Sequence, residues 1–234
     1  MPRVRRETAS ARARRRRIVA GVSVAGTGLL GLSFATEPDS KEFYAATLAA
    51  AGVWAVGGVA SGPLHLGRSG RSPRRPVLTP IAIGAGAFGL CYAAALAARR
   101  IPVLDGALRD VLSYADRGST PLVLLTTLAN GAAEEVFFRG AVYSAVGEKH
   151  PVATSTAVYT LTTAATRNPA LVLAAAAMGT LFGLQRRATG GVQAPMLTHL
   201  TWASLMVRYV TPLFRGDRPD GGARGSDVRW GPQS

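Results

Sequence analysis

Two adjacent carboxylates, Glu134 and Glu135, and one arginine, Arg139, stand between the leucine-rich residues 122–128 and the apolar run 141–146. An ionisable side chain at membrane depth costs roughly 2.5–3.5 kcal/mol on insertion scales, so such groups pair, face the bundle interior and mark functional paths. Glu135 precedes Arg139 by four residues, the favourable order for an ion pair on one helix face. Glu134 projects about 100° away, beside Phe137 and Phe138. The spacing therefore divides the labour. One carboxylate is neutralised and held, while the other is left without a partner from its own helix. A carboxylate isolated in an apolar, partly dry pocket is the kind of group that serves as general base or acid near neutral pH. The alternative is a helix end at the membrane interface with both glutamates solvated.

Other reactive side chains are few. His199 lies within the apolar stretch 190–207, whereas His65 and His150 fall in loops. A lone histidine on an apolar helix is either a hydrogen-bonded core residue or a partner for Glu134. Cys91 is the single cysteine, which excludes an internal disulfide. There is no His-x-x-x-His and no cysteine pair, so a divalent metal such as zinc at Glu134 and His199 is the minor alternative to a site without cofactor.

The elements that must position these groups are apolar helices. Crossing a hydrocarbon core of about 30 Å takes roughly 20 residues at about 1.5 Å each. Residues 18–36, 43–64 and 77–98 contain no Asp, Glu, Lys, Arg or His, and 121–146, 152–166, 169–184 and 190–207 complete a series of about seven spans. An all-α, polytopic membrane helix bundle follows. The net charge of +14 in 234 residues does not describe a basic surface seeking nucleic acid, because the first seventeen residues, eight arginines against Glu7, hold half of it. A second cluster, Arg68, Arg71, Arg74 and Arg75, follows the second span, and the intervening segment with Glu37, Asp39 and Glu42 is acidic. This is the positive-inside pattern, and it puts the N-terminus in the cytoplasm. A cleaved secretory signal ending near Ser33-Phe34-Ala35 is the competing reading of that end. The organisation expected is a disordered basic arm over 1–17, a bundle over 18–213 and a disordered polar tail over 214–234.

Glu-Glu-x-x-x-Arg in a membrane helix, followed by short apolar helices, Leu181-Phe182-Gly183-Leu184, Thr189-Gly190-Gly191, Ala194-Pro195 and Thr198-His199-Leu200, resembles the CPBP family of intramembrane proteases. That family comprises type II CAAX prenyl endopeptidases and bacteriocin-processing, Abi-like proteins, and the likeness covers residues 121–210. The resemblance implies an intramembrane endopeptidase in a bacterial plasma membrane, acting on a hydrophobic or prenylated peptide amid membrane lipid. It assigns Glu134 as the carboxylate that activates water, Glu135 and Arg139 as its supporting pair, and His199 as the oxyanion donor. Two motifs depart from the family. Its Phe-x-x-x-His is met here by Tyr159 to Thr163, with a threonine in the histidine's place, and its His-x-x-x-Asn ends on Ala203. A threonine hydroxyl can hydrogen-bond a water but cannot take up a proton near neutral pH. Thr163 is thus a supporting residue at most, and a pseudoprotease that binds peptides or partner helices stays open beside the enzyme. A small transporter with a buried proton path would carry internal repeats, and none is visible.

Overall fold

The computed structural model describes residues 8–67 and 75–217, with the side chains of 215–217 left aside. Among the described residues there is no strand. Helix α1 (Ala9–Ser33) packs along α2 (Lys41–Ala60); α3 (Leu78–Ala98) leads through α4 (Pro102–Arg117) to α5 (Thr120–Glu134). From α5 the rod continues as a π-helical stretch, Glu135–Val142, into the short α6 (Tyr143–Val146). Helices α7 (Pro151–Thr163), α8 (Pro169–Thr189) and α9 (Gln193–Leu205) complete the order, and α9 runs on through a second π-helical turn, Met206–Val210. Each of the seven expected segments falls on helix. Helices α2, α3 and α8 are long and apolar enough to cross a membrane.

Two expectations change. The arm expected to be disordered through Arg17 is helical from Ala9, where the Thr8 hydroxyl accepts the Ala11 N–H and caps the first turn. Alanine and arginine are strong helix formers, and residues 9–17 contain no glycine or proline, so the first span extends backwards. The start of the expected polar tail is also ordered, since Thr211–Asp217 forms a 3₁₀ helix. Residues 1–7, Arg68, Arg71, Arg74 and the tail beyond 217 lie outside the described residues.

Beyond these two changes, α4 is an additional helix in a segment that reads as a mixed, charged connection. Its charges hide a 3.6-residue period, because Leu104, Ala107, Leu108, Val111, Leu112 and Ala115 share one stripe. Pro102 starts it in the first turn, where a missing N–H costs nothing. Side chains tie it down at both ends: the Tyr114 hydroxyl bonds the Phe34 and Thr36 carbonyls, and the Asn168 amide donates to the Ala107 carbonyl at 2.7 Å.

These ties define one end of the bundle, formed by the α1–α2 turn, α4 and the α7–α8 turn. The opposite end joins other parts of the chain. Arg16 Nε donates to the Ala145 carbonyl at 3.3 Å, and the Val192 N–H reaches the His65 carbonyl at 2.9 Å. The arginine-bearing start of α1 therefore shares an end with the loops after α2, α6 and α8.

The core of the bundle lies around Trp54, Phe137 and Phe138, all fully buried, with the Trp54 and Phe138 rings edge to face at 5.6 Å. Trp54 is a packing residue, as its mid-span position implies, rather than an interface anchor.

Candidate active site

Glu134 ends α5 and Glu135 opens the π-helical stretch. The wider turn of a π-helix is frequent at functional sites, where it re-aims side chains without breaking the rod. Glu135 and Arg139 form the expected pair, with Arg139 Nη1 at 3.2 Å from Glu135 Oε1, and both side chains are sealed from solvent. Arg139 Nη2 also donates to the Gly179 carbonyl at 3.1 Å on α8. Its guanidinium lies 4.7 Å from the Tyr159 ring and 5.1 Å from the Phe182 ring. The carbonyl of Arg139 accepts from Arg186 Nε at 2.9 Å. Helices α7 and α8 thus clamp the cation that clamps Glu135.

His199, on α9, joins the same cluster. Its Nδ1 is 3.0 Å from Glu135 Oε1 and its Nε2 is 4.0 Å from Glu134 Oε2. The imidazole stacks on Phe182, with centroids 4.7 Å apart and planes at 21°, and Trp202 closes another side. Gly131 provides the room for this ring, since a Cβ built there would already stand 3.4 Å from His199 Nε2. A carboxylate on Nδ1 fixes the ring's orientation and leaves Nε2 as the reactive nitrogen. The buried polar reading and the functional reading of His199 therefore coincide in one geometry.

Glu134 has more partners than its spacing suggested. Asn130, four residues earlier on the same helix, donates to Oε1 at 2.8 Å, so the expected lack of an own-helix partner is corrected. The Tyr159 hydroxyl donates to Oε2 at 2.8 Å. Thr163 does not take the supporting place given to it: its hydroxyl donates to the Tyr159 carbonyl within α7. A threonine one turn beyond its neighbour's carbonyl satisfies itself locally, which keeps it from reaching across. The sequence held a signal for Asn130, the i,i+4 spacing to Glu134. Tyr159 opens the same five-residue frame as Thr163, and its phenol is long enough to reach where the threonine is not.

Exposure separates the four side chains into two pairs. Glu135 and Arg139 are 0% exposed, whereas Glu134 and His199 retain 7% and 5%. Only the second pair has a surface left for another molecule. Zinc takes four ligands, or three and a water. Among the described residues no three His, Cys, Asp or Glu side chains form a group that could hold a metal ion. Asn130 and Tyr159 hold Glu134, and Glu135 holds His199 Nδ1.

Residues 116–205 match the family model described as type II CAAX prenyl endopeptidase Rce1-like. Over that stretch, under half of the chain, the sequence is similar to the CPBP/CAAX protease family. Neither the curated proteins nor the solved structures gave a match. The matched segment runs from the end of α4 into α9 and contains Glu134, Glu135, Arg139, Tyr159 and His199, while α1, α2 and α3 lie outside it.

Proposed function

We propose that the protein is an intramembrane endopeptidase of the CAAX type, in which Glu134 activates water for attack on a peptide bond. The observation that carries this reading is the 4.0 Å separation of Glu134 Oε2 and His199 Nε2, the two partly accessible groups, behind which Glu135 and Arg139 are sealed. A water can hydrogen-bond two such atoms at once.

In the proposed reaction Glu134 takes a proton from water as its oxygen bonds the scissile carbonyl carbon. The carbonyl electron pair moves onto oxygen, where His199 Nε2–H stabilises it. Collapse of the intermediate breaks the C–N bond, and Glu134 returns the proton to the leaving amine. Glu135 holds the imidazole through Nδ1, and Arg139 holds Glu135. No metal step enters.

Phe182 and Trp202 beside His199 make the surroundings apolar, which suits a hydrophobic or prenylated peptide held in lipid. His199 is six residues into α9, so the site lies about 9 Å from the end of the bundle that carries the α1 arginines. In a bacterial plasma membrane with that end cytoplasmic, cleavage takes place toward the cytoplasm. A peptide pair identical except for a prenylated cysteine, incubated with purified protein in lipid and read by mass spectrometry, tests the substrate class. Cleavage of the prenylated member at least about tenfold faster supports it, as burial of a long alkyl chain predicts; equal rates would remove the lipid from the specificity.

Peptide binding without turnover is the second reading, and one observation favours it: the second-motif position, Thr163, contributes nothing to Glu134. Retained peptide binding with no product from the wild-type protein would establish it.

A further inference from the structure

The protease reading leaves the Tyr159 hydroxyl unexplained. This phenol is 2.8 Å from Glu134 Oε2, the same oxygen that His199 Nε2 faces at 4.0 Å, so two potential donors converge on one carboxylate oxygen. Asn130 occupies the other oxygen. The Tyr159 ring has little freedom to move: it packs on Phe138 at 4.8 Å and on the Arg139 guanidinium at 4.7 Å. On its backbone side, the Thr162 and Thr163 hydroxyls both donate to its carbonyl. What remains free is rotation of O–H about the C–O bond, which redirects the proton without displacing a heavy atom.

We propose that Tyr159 is a second catalytic hydrogen-bond donor, which passes its bond from Glu134 to the substrate oxyanion as Glu134 takes the proton from water. This rests on the endopeptidase reading of the same site. In the resting state the phenol donates to a carboxylate, a charge-assisted bond roughly twice as strong as a neutral one. When the water oxygen bonds the carbonyl carbon, one water proton moves to Glu134 and the carbonyl electron pair moves to oxygen. The negative charge has left the carboxyl group and stands on the substrate. The phenol O–H follows the charge and keeps its own proton throughout. On collapse the electron pair re-forms the carbonyl, the C–N bond breaks, the amine takes the proton from Glu134, and the phenol returns to the carboxylate. Two donors, His199 and Tyr159, then share the oxyanion although the second-motif position carries threonine.

A donor used only in the transition state acts on kcat and leaves KM alone. The test is steady-state cleavage of a prenylated peptide by the full-length protein in lipid, comparing wild type, Tyr159→Phe, Glu134→Gln and, as a control on the exposed end of the last helix, Tyr209→Phe. Loss of one oxyanion donor lowers kcat about 100-fold, with KM within about twofold, and Tyr209→Phe stays at wild-type rates. Replacing Tyr159 by 3-fluorotyrosine keeps the shape and the hydroxyl, and restores kcat to within about threefold of wild type on the same account. Wild-type kcat in Tyr159→Phe, beside an inactive Glu134→Gln, would overturn the role of Tyr159 and leave the protease standing. If Tyr159→Phe does not fold, failure of the folded 3-fluorotyrosine protein to cleave would overturn the proposal. No difference between wild type and Glu134→Gln would overturn the endopeptidase reading itself, and this inference with it.

Discussion

Glu135 and Glu134 are neighbours in the chain with opposite consequences when altered. Glu135 shares one oxygen between Arg139 and His199 inside a fully buried pocket. Glu135→Gln leaves the arginine's charge without its counter-ion, and breaking such a pair costs about 3–5 kcal/mol. Denaturation of the purified protein in detergent should show that loss, together with loss of cleavage. Glu134→Gln keeps two oxygen- or nitrogen-bearing positions for Asn130 and Tyr159, so its stability should stay within about 1 kcal/mol of wild type. At this scale the charged members of the site were legible, because Glu134, Glu135 and Arg139 have no structural excuse among apolar residues. Asn130 and Tyr159 were not, since a neutral polar residue in an apolar helix is ordinary and its partner is fixed only by packing. Thr163 illustrates the converse: its position in a motif frame said nothing about where its hydroxyl would bond.

At the scale of elements, small residues decide how closely helices approach when no water drives them together. Gly26 on α1 faces the buried indole of Trp54 on α2, and a Cβ there would stand closer to Nε1 than any contact allows. Trp54 is fully buried and packed on Phe138, so it has nowhere to yield. Gly26→Ala should cost about 1–3 kcal/mol by overpacking. Gly52→Ala on α2 meets open space and should cost nothing measurable by the same denaturation assay. The apolar helices were readable from run length, α2, α3 and α8 most plainly. Helix α4 was not, because its charges lower the mean hydropathy, and only the spacing of its leucines and alanines records the face that it buries. The helical start of α1 was obscured in a similar way, by arginines that read as a solvated arm although they sit on good helix-forming sequence.

For the whole molecule the arrangement of ends carries the function, because the depth of the site from each end decides which compartment supplies the water and the substrate. The α1 arginines, the His65 loop and the turn into α9 lie at one end, and α4 with the α1–α2 turn lies at the other. In a Cys91→Ser background, a cysteine placed by Ser10→Cys should react with a membrane-impermeant thiol reagent only from the cytoplasmic side, and one placed by Thr36→Cys only from outside. Reaction of both from one side would reverse or dissolve this topology. The sum of +14 concealed that asymmetry, which became readable once the charge was followed along the chain. Glu134 lies inside the bundle nearer that arginine-bearing end, and kcat/KM for one prenylated peptide in one lipid reads its role. Glu134→Gln, folded and with wild-type stability, should lose about 1000-fold or more, as removal of a general base does, and His199→Ala about 100-fold. Wild-type kcat/KM in folded Glu134→Gln would contradict the account.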